Sequence, residues 1–281
     1  MKRILNLILS DLHIGNKTKH RRTGGYEYGH KQQLRRLAYV TREACQYKAD
    51  YRAQTSLKVW LLGDLGHGEI HRGGDRMSDQ LSDQIDMLGA MADVFMEAFS
   101  GKVGFRCVTG NHGRFLAKHP GRAADDKSDS YETIVYRTLR QRCIDVAVPE
   151  TAYVDDRVFG HRFLASHGDT MFSLPNPGAS INMARIEQKL NRWTAARWKP
   201  DVLMLGHHHT PTVQVMPAGN TLIINGSLCP ADEYCLSVDI PESPSSQVMF
   251  ESTEAHAVGD LRIVRLDGRV DKDKSLDEVL R

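Results

Sequence analysis

The chain has 281 residues, 41% hydrophobic and 26% charged, which is ordinary for a soluble globular protein and long enough for one large domain with a substantial core. Its 37 Lys and Arg nearly balance 35 Asp and Glu, so a net charge of +2 does not by itself point to nucleic acid. Five scattered cysteines (Cys45, Cys107, Cys143, Cys229 and Cys235) form no CxxC pair and read as isolated thiols in a reducing cytoplasm rather than as a disulfide frame or a zinc-thiolate site.

The opening MKRILNLIL places a basic pair before an apolar run, as a signal peptide would. The run stops at Ser10 and Asp11 with no small-residue cleavage site, so it reads as a first β-strand over residues 4–9. A polar, glycine-bearing loop is expected over 17–30, a helix over 32–51 and a strand over 57–62. The clearest helical period covers 76–99, where Met77, Leu81, Ile85, Leu88, Ala92, Phe95 and Phe99 step by three or four and Gly101 marks the stop. A strand at 103–108, a charged loop at 114–129 and a helix at 130–144 come next. Strands at 162–166, 202–205, 222–224 and 261–266, a helix at 181–197 and a turn-rich insertion at 241–246 complete an α/β pattern. Residues 267–281 are highly charged and read as a short helix or frayed tail after a domain spanning 1–266. No stretch is long and apolar enough to span a membrane.

Several of these strands end in a short polar loop: Ser10-Asp11-Leu12-His13, Gly63-Asp64, Gly110-Asn111-His112, His167-Gly168-Asp169 and Gly206-His207-His208-His209. Sites in open α/β sheets gather at the carboxyl ends of strands, so five such loops suggest one shared site. Asp11 and His13 lie two apart, as do His207 and His209, and on a strand that spacing puts both side chains on one face, with His208 turned away. Carboxylate, imidazole and amide oxygen together suit manganese, iron, zinc or similar metals, and the absence of thiolate argues against a structural zinc site. Taken alone the pieces are weak, since Asp-x-His is expected on the order of once by chance in a chain this long. Gly-His-x-His is rarer, at roughly 0.05 chance occurrences, and order, placement and ligand chemistry agree across the set.

In this order, Asp11-x-His13, Gly63-Asp64, Gly110-Asn111-His112, His167-Gly168 and Gly206-His207-x-His209 resemble the calcineurin-like metallophosphoesterase superfamily. The resemblance runs from residue 11 to 209, with Asn225-Gly226-Ser227 and the later strands completing the usual fold. It implies a four-layer αββα sandwich in which two mixed β-sheets are flanked by helices. It also implies two divalent metal ions, manganese first, with iron, zinc, nickel or magnesium as alternatives. By the resemblance, Asp11, His13 and His209 bind one metal, Asn111, His167 and His207 bind the other, and Asp64 bridges the two. Two cations about 3.5–4 Å apart repel strongly, so a shared carboxylate and a shared hydroxide are needed between them. The bridging hydroxide is the implied nucleophile. His112 is the implied catalytic group that protonates the leaving alkoxide or hydrogen-bonds the scissile phosphate. The family pattern has Asp or Glu after Gly-Asn-His; here the residue is Gly113, so the carboxylate that orients His112 has to come from elsewhere, with Asp169 and Asp129 as candidates. Arg114 is placed either to reach a substrate phosphate or to stand in a solvated loop.

The runs Ser10-Asp11-Leu12-His13-Ile14-Gly15 and Gly63-Asp64-Leu65-Gly66-His67 are similar to the nuclease subunits that process DNA ends in double-strand-break repair. In that branch a histidine three residues after the bridging Asp lies near the substrate, and His67 takes that place here, with a second-shell hydrogen bond as the other reading. From 17 to 36, Lys17, Lys19, Arg21, Arg22, Lys31, Arg35 and Arg36 stand against Glu27 alone, with Tyr26 and Tyr28 interleaved. Such a loop after the first ligands suits phosphate contacts and base stacking, with Lys17, Arg21 and Arg22 as substrate-binding candidates; as a solvated loop it would mean nothing. The expectation is a cytoplasmic, metal-dependent phosphodiesterase acting on nucleic acid, a DNA exo- or endonuclease without a membrane or ATPase partner and open to homodimerisation. The alternatives are a phosphatase or phosphodiesterase for small or protein-borne esters, and a non-catalytic binding protein with a degenerate site.

Overall fold

The segment RILNLIL is apolar at five of its seven positions, as expected of a strand covered on both faces. It forms β1 (Arg3–Leu9), near the middle of a six-stranded sheet. A computed structural model describes residues 2–19, 27–50, 55–68, 75–114, 130–148, 151–169, 183–195, 198–230, 243–266 and 268–280. Along the chain, β2 (Thr18–Lys19) and β3 (Glu27–Tyr28) form a small ribbon, followed by α1 (His30–Asp50), β4 (Thr55–Leu61), α2 (Met77–Ala98), β5 (Val103–Cys107) and α3 (Glu132–Leu139). Next come β6 (Asp145–Ala147), β7 (Tyr153–Val158), β8 (His161–Ser166), α4 (Met183–Ala195), β9 (Val202–Leu205), β10 (Thr212–Val215), β11 (Thr221–Ile224), β12 (Ser246–Ser252) and β13 (Leu261–Arg265).

The six-stranded sheet has the order β13-β12-β1-β4-β5-β6, and a five-stranded sheet has the order β10-β11-β9-β8-β7. Both are mixed: β1, β4, β5 and β6 run parallel beside antiparallel β12 and β13, and β8, β9 and β11 run parallel between antiparallel β7 and β10. Alternation along the strands sorts the core into three layers. Leu57, Val59 and Leu61 of β4 pack with α1, α2 and α3. Trp60 and Leu62 turn the other way and meet Phe163, Val202 and Met204 of the second sheet. Leu164, Leu203 and Leu222 form the outer face of that sheet against Ile186 and Leu190 of α4. The arrangement is the expected four-layer αββα sandwich. Among the described residues, no helix is long and apolar enough to cross a membrane.

Six strands escape the sequence reading: the short β2 and β3, where a loop was expected over 17–30, and β6, β7, β10 and β12. β6, β7 and β10 lie at sheet edges. β12 is central, antiparallel to β1, and buried at every position but one. Its run VMF is short and covered on both sides, so it lacks the alternation that marks a half-buried strand. The helix expected at 130–144 stops at Leu139, and Ile144, its expected last residue, is fully exposed.

Of the two forms expected for the charged end of the chain, a short helix and a frayed tail, its described residues take the first. Residues 270–278 form two 3-10 turns, and Val270, Leu276 and Leu280 belong to the core between the first sheet and its helices. Arg36, counted in sequence as part of a basic rim, is buried: Nε and Nη2 donate to Asp271 at 2.7 and 2.8 Å, and Nη1 donates to the Leu228 carbonyl. Arg35 makes the same two-pronged contact with Asp277. These cations fasten the tail to α1. Removing one member of a buried, bidentate pair leaves the other charge without a partner, so Arg36→Ala is expected to destabilise the protein by about 3–5 kcal/mol. Urea unfolding monitored by Trp fluorescence measures this, and a loss below about 1 kcal/mol, the range of surface pairs, contradicts it.

Candidate metal centre

The β1–β4 ladder continues past the end of both strands. Asp11 N donates to the Gly63 carbonyl at 3.0 Å, His13 N to Asp64 O at 3.0 Å and Ile14 N to Leu65 O at 2.8 Å. The first two ligand loops therefore leave the sheet as one ribbon. Other loops are tied to it: Leu228 N and Ser227 Oγ donate to the Asp11 carbonyl, His207 N donates to the Asp11 carboxylate, and His112 N donates to Asp64 Oδ1 at 2.8 Å. Asn111, His112, His167, His207 and His209 join from the ends of β5, β8 and β9.

Period-two alternation is not what makes the paired ligands converge. Asp11 and His13 lie beyond β1 with φ of 54° and 45°, and His207 and His209 lie beyond β9 with φ of 68° and 57°. Left-handed turns aim each pair into one space, a conformation that non-glycine residues seldom adopt.

The side chains meet in two groups. On one side Asp11, His13 and Asp64 bring ligand atoms within 4.8 Å of one another, with His209 Nε2 3.2 Å from His13 Nε2 and 3.3 Å from Asp11 Oδ1. On the other side Asp64, His167 and His207 do the same, with His167 Nε2 2.9 Å from Asn111 Oδ1 and 3.1 Å from Asp64 Oδ2. Asp64 belongs to both groups. His167 is aimed from behind by its Nδ1, which donates to the Leu62 carbonyl at 2.7 Å and leaves Nε2 for the site.

Electrostatics follow from this crowding. Burial opposes charge on Asp64, yet His167, His112 and His13 together outweigh it and hold the carboxyl well below its usual range. His167 pays the same burial penalty but is pushed up to about 10 by Asp64. Burial and His112 hold His13 well below the ordinary imidazole value, and burial with His167 pushes His207 down to about 3. One proton is thus held between Asp64 and His167, while His13 and His207 stay neutral and Asp11 beside it holds His209 above the ordinary imidazole value.

This donor set fits divalent cations. Lone pairs of two carboxylates, an amide oxygen and four imidazoles converge, and the buried Nδ1 of His13 has no hydrogen-bond partner. Neutral imidazole nitrogens and carboxylate oxygens crowded this closely repel unless protons or cations lie between them.

The other expected residues fall in several places. His112 is at the centre, its ring 4.6 Å from that of His13 and its Nε2 3.9 Å from Asp64 Oδ2. A backbone carbonyl takes the orienting place expected of a carboxylate: Nδ1 donates to the His67 carbonyl at 2.6 Å, while Asp169 accepts from Arg114. A carbonyl only accepts, so Nδ1 carries the proton and Nε2 faces the site. His67 is only 2% exposed and contributes that carbonyl, its ring lying 5.9 Å from His13. Arg114 donates to Asp169 at 2.8 Å, and Lys17 is an exposed partner of Asp75. Arg21, Arg22 and Asp129 lie outside the described residues.

Two residues at the site were set aside or passed over in sequence. Cys229 brings its thiol within 4.8 Å of ring nitrogens of His13 and His209, so a sulfur borders the Asp11 side after all. Its place two residues beyond Ser227, in the loop that touches Asp11, was the available signal. Glu132, at the start of α3, is fully buried; burial and Asp64 push its carboxyl up to about 7. It sits nineteen residues after Gly113, and no motif marks it.

No family model matches the chain, and no curated protein matches it. Solved structures similar to it include vacuolar protein sorting 29 from Cryptosporidium parvum, 15% identical, covering 95% of this chain and 93% of that one with a TM-score of 0.44. A predicted phosphoesterase from Streptococcus pneumoniae TIGR4 is 12% identical, with coverage of 94% and 99% and a TM-score of 0.37. A putative 5'-nucleotidase from Staphylococcus aureus is 12% identical, with coverage of 99% of this chain and 57% of that one and a TM-score of 0.42. At these identities and scores the likenesses carry no argument about activity, which has to come from the site.

Metal uptake must displace the proton on His167. Affinity for Mn²⁺ is therefore expected to keep rising with pH through neutrality, with protons released on binding. Calorimetric titration in buffers of different ionisation enthalpy, from about pH 6 to about pH 8.5, reads both quantities. A flat affinity without proton release contradicts the assignment of His167 to the metal site.

Proposed function

We propose that the chain is a dinuclear, metal-dependent phosphoesterase that hydrolyses phosphodiester bonds, with DNA as the substrate. The observation that carries the first part is the place of Asp64, shared by two groups of ligand-type atoms. Asp11, His13 and His209 would hold one divalent ion, Asn111, His167 and His207 the other, and Asp64 would serve both. Divalent ions bound there supply Lewis acidity towards phosphoryl oxygens and make water ionisable near neutral pH. The chain's own part is to fix the ligands, exclude bulk water around buried Asp11, Asp64 and His167, and present His112 Nε2 to a leaving oxygen; because Nδ1 already holds one proton against the His67 carbonyl, Nε2 donates from the doubly protonated ring. A complete donor set speaks against the degenerate, non-catalytic reading.

The DNA reading rests on the likeness of the first two loops to repair nucleases and on the cations after His13. The burial of Arg35 and Arg36, and the pairing of Lys17 with Asp75 and of Arg114 with Asp169, reduce the free positive charge at that rim. That observation favours, as the second reading, a phosphatase or phosphodiesterase for small esters.

With Mn²⁺, the protein is expected to cleave bis(p-nitrophenyl) phosphate and labelled DNA. Cleavage of the monoester alone, with no salt-dependent DNA binding, rejects the nuclease reading. Asp64→Asn should lower activity by more than about 100-fold and reduce bound metal, since it removes a ligand rather than a supporting partner. Unchanged metal content and activity would refute the catalytic reading.

His112→Ala should keep its metal and lose about 10²–10⁴-fold on an alkoxide leaving group, but far less on p-nitrophenolate, which leaves without a proton. Equal losses on both substrates would assign His112 to phosphate binding instead.

A further inference from the structure

Glu132 is a fully buried acid that the proposed reaction does not use. Its two oxygens serve two different loops. Oε1 accepts from Leu65 N at 2.7 Å, and Oε2 accepts from Gly110 N at 2.7 Å. Leu65 follows Asp64, and Gly110 precedes Asn111. On the site side the same loops are joined by His112 N donating to Asp64 Oδ1. Glu132 therefore closes a frame around the backbone that carries Asp64, Asn111 and His112.

The room for it comes from Gly113. A Cβ at that position would stand 2.6 Å from Ser130 Oγ, 2.7 Å from Glu132 Cγ and 2.9 Å from Glu132 Cδ, closer than real Cβ contacts come. Gly113 lacks a positive φ, so backbone conformation does not require glycine there; the volume taken by Glu132 does. Ser130 Oγ accepts from Glu132 N, which fixes the start of α3, and the Gly113 carbonyl accepts from Tyr131 N. A helix from elsewhere in the chain thus delivers a carboxylate into the space that a side chain at 113 would fill.

We propose that Glu132 is a positioning residue for the metal centre: its two carboxyl oxygens set the spacing of Asp64 and Asn111 by accepting from both loops, and Gly113 exists to admit it. The proposal rests on the metal-centre reading above. An amide cannot replace the acid, because Glu132→Gln turns an NH₂ group towards one of the two backbone N–H groups. Aspartate at 132 is one methylene too short to span both.

The test measures Mn²⁺ stoichiometry and affinity, the visible spectrum of the Co²⁺-loaded protein, melting in chelator, and kcat and KM on bis(p-nitrophenyl) phosphate. Glu132→Gln should lose about 10–100-fold in metal affinity, as partners behind metal ligands do, with an altered Co²⁺ spectrum and a fall in kcat at similar KM. A folded Glu132→Gln protein with wild-type affinity and an unchanged Co²⁺ spectrum overturns the proposal. Where that variant melts too early to load, Gly113→Asp decides. Alone it collides with Glu132 and should weaken metal binding, and adding Glu132→Ala should restore affinity towards wild type by supplying the carboxylate from the other side. If Glu132→Ala fails to improve the Gly113→Asp protein, the shared-volume argument is wrong. A wild-type protein that takes up no metal instead removes the metal-centre reading itself.

Discussion

Five side chains at this site are carried on left-handed backbone: Asp11, His13, Asp64, His207 and His209. Each such residue costs of order 1–3 kcal/mol and persists only where its surroundings over-determine it. The surroundings here are the sheets. The β1 and β4 backbones stay hydrogen-bonded through Asp11, His13 and Ile14, beyond the last residue of either strand. Without that ribbon Asp11 and His13 would relax into extended geometry, and the site would lose its floor. Two packed sheets, three helices against one and a fourth against the other, act as the support that this strain requires.

Buried polar side chains carry the support from the helices to the loops. Gln33 of α1 accepts from Gly15 N and donates to the Asn16 carbonyl; Gln80 of α2 accepts from Gly68 N and donates to Asp75 O; Glu132 of α3 accepts from Leu65 and Gly110. Gln247 of β12 accepts from Ser10 N and donates to the Ser10 carbonyl, and Asn225, just past β11 of the second sheet, donates to Ser10 Oγ. Loop N–H groups in a dry interior cost about 1–3 kcal/mol each if left unpaired, and α1, α2 and α3 each send a residue that pairs them. Helix packing and ligand geometry are therefore coupled, and substitutions deep in α1 or α2 can reach the site without touching a ligand.

Charge is used twice, for different ends. The cations of α1 hold the C-terminal turns in place rather than facing a substrate, so sequence clustering overstated the basic rim. The acids around the centre are held ionised by nearby imidazoles, which prepares them for cations. Both outcomes depend on partners far away in the chain: Asp271 for Arg36, His167 for Asp64 and His209 for Asp11.

The amino-acid sequence by itself determined the α/β class, most strands of both sheets and the set of ligand-type residues. Those features are written locally, as apolar runs, helical periods and short polar loops at strand ends. Tertiary structure alone decided which loops share a space, that the paired ligands converge through left-handed turns, and that Asp64 stands in both groups. It also decided the fate of residues whose meaning depends on distant partners. Arg36 reads as surface charge until Asp271 folds onto it, Gly113 reads as a missing acid until Glu132 fills its place, and β12 reads as a short apolar stretch until β1 pairs with it. Local pattern cannot encode these, because each is a contact between segments that only the closed sandwich brings together.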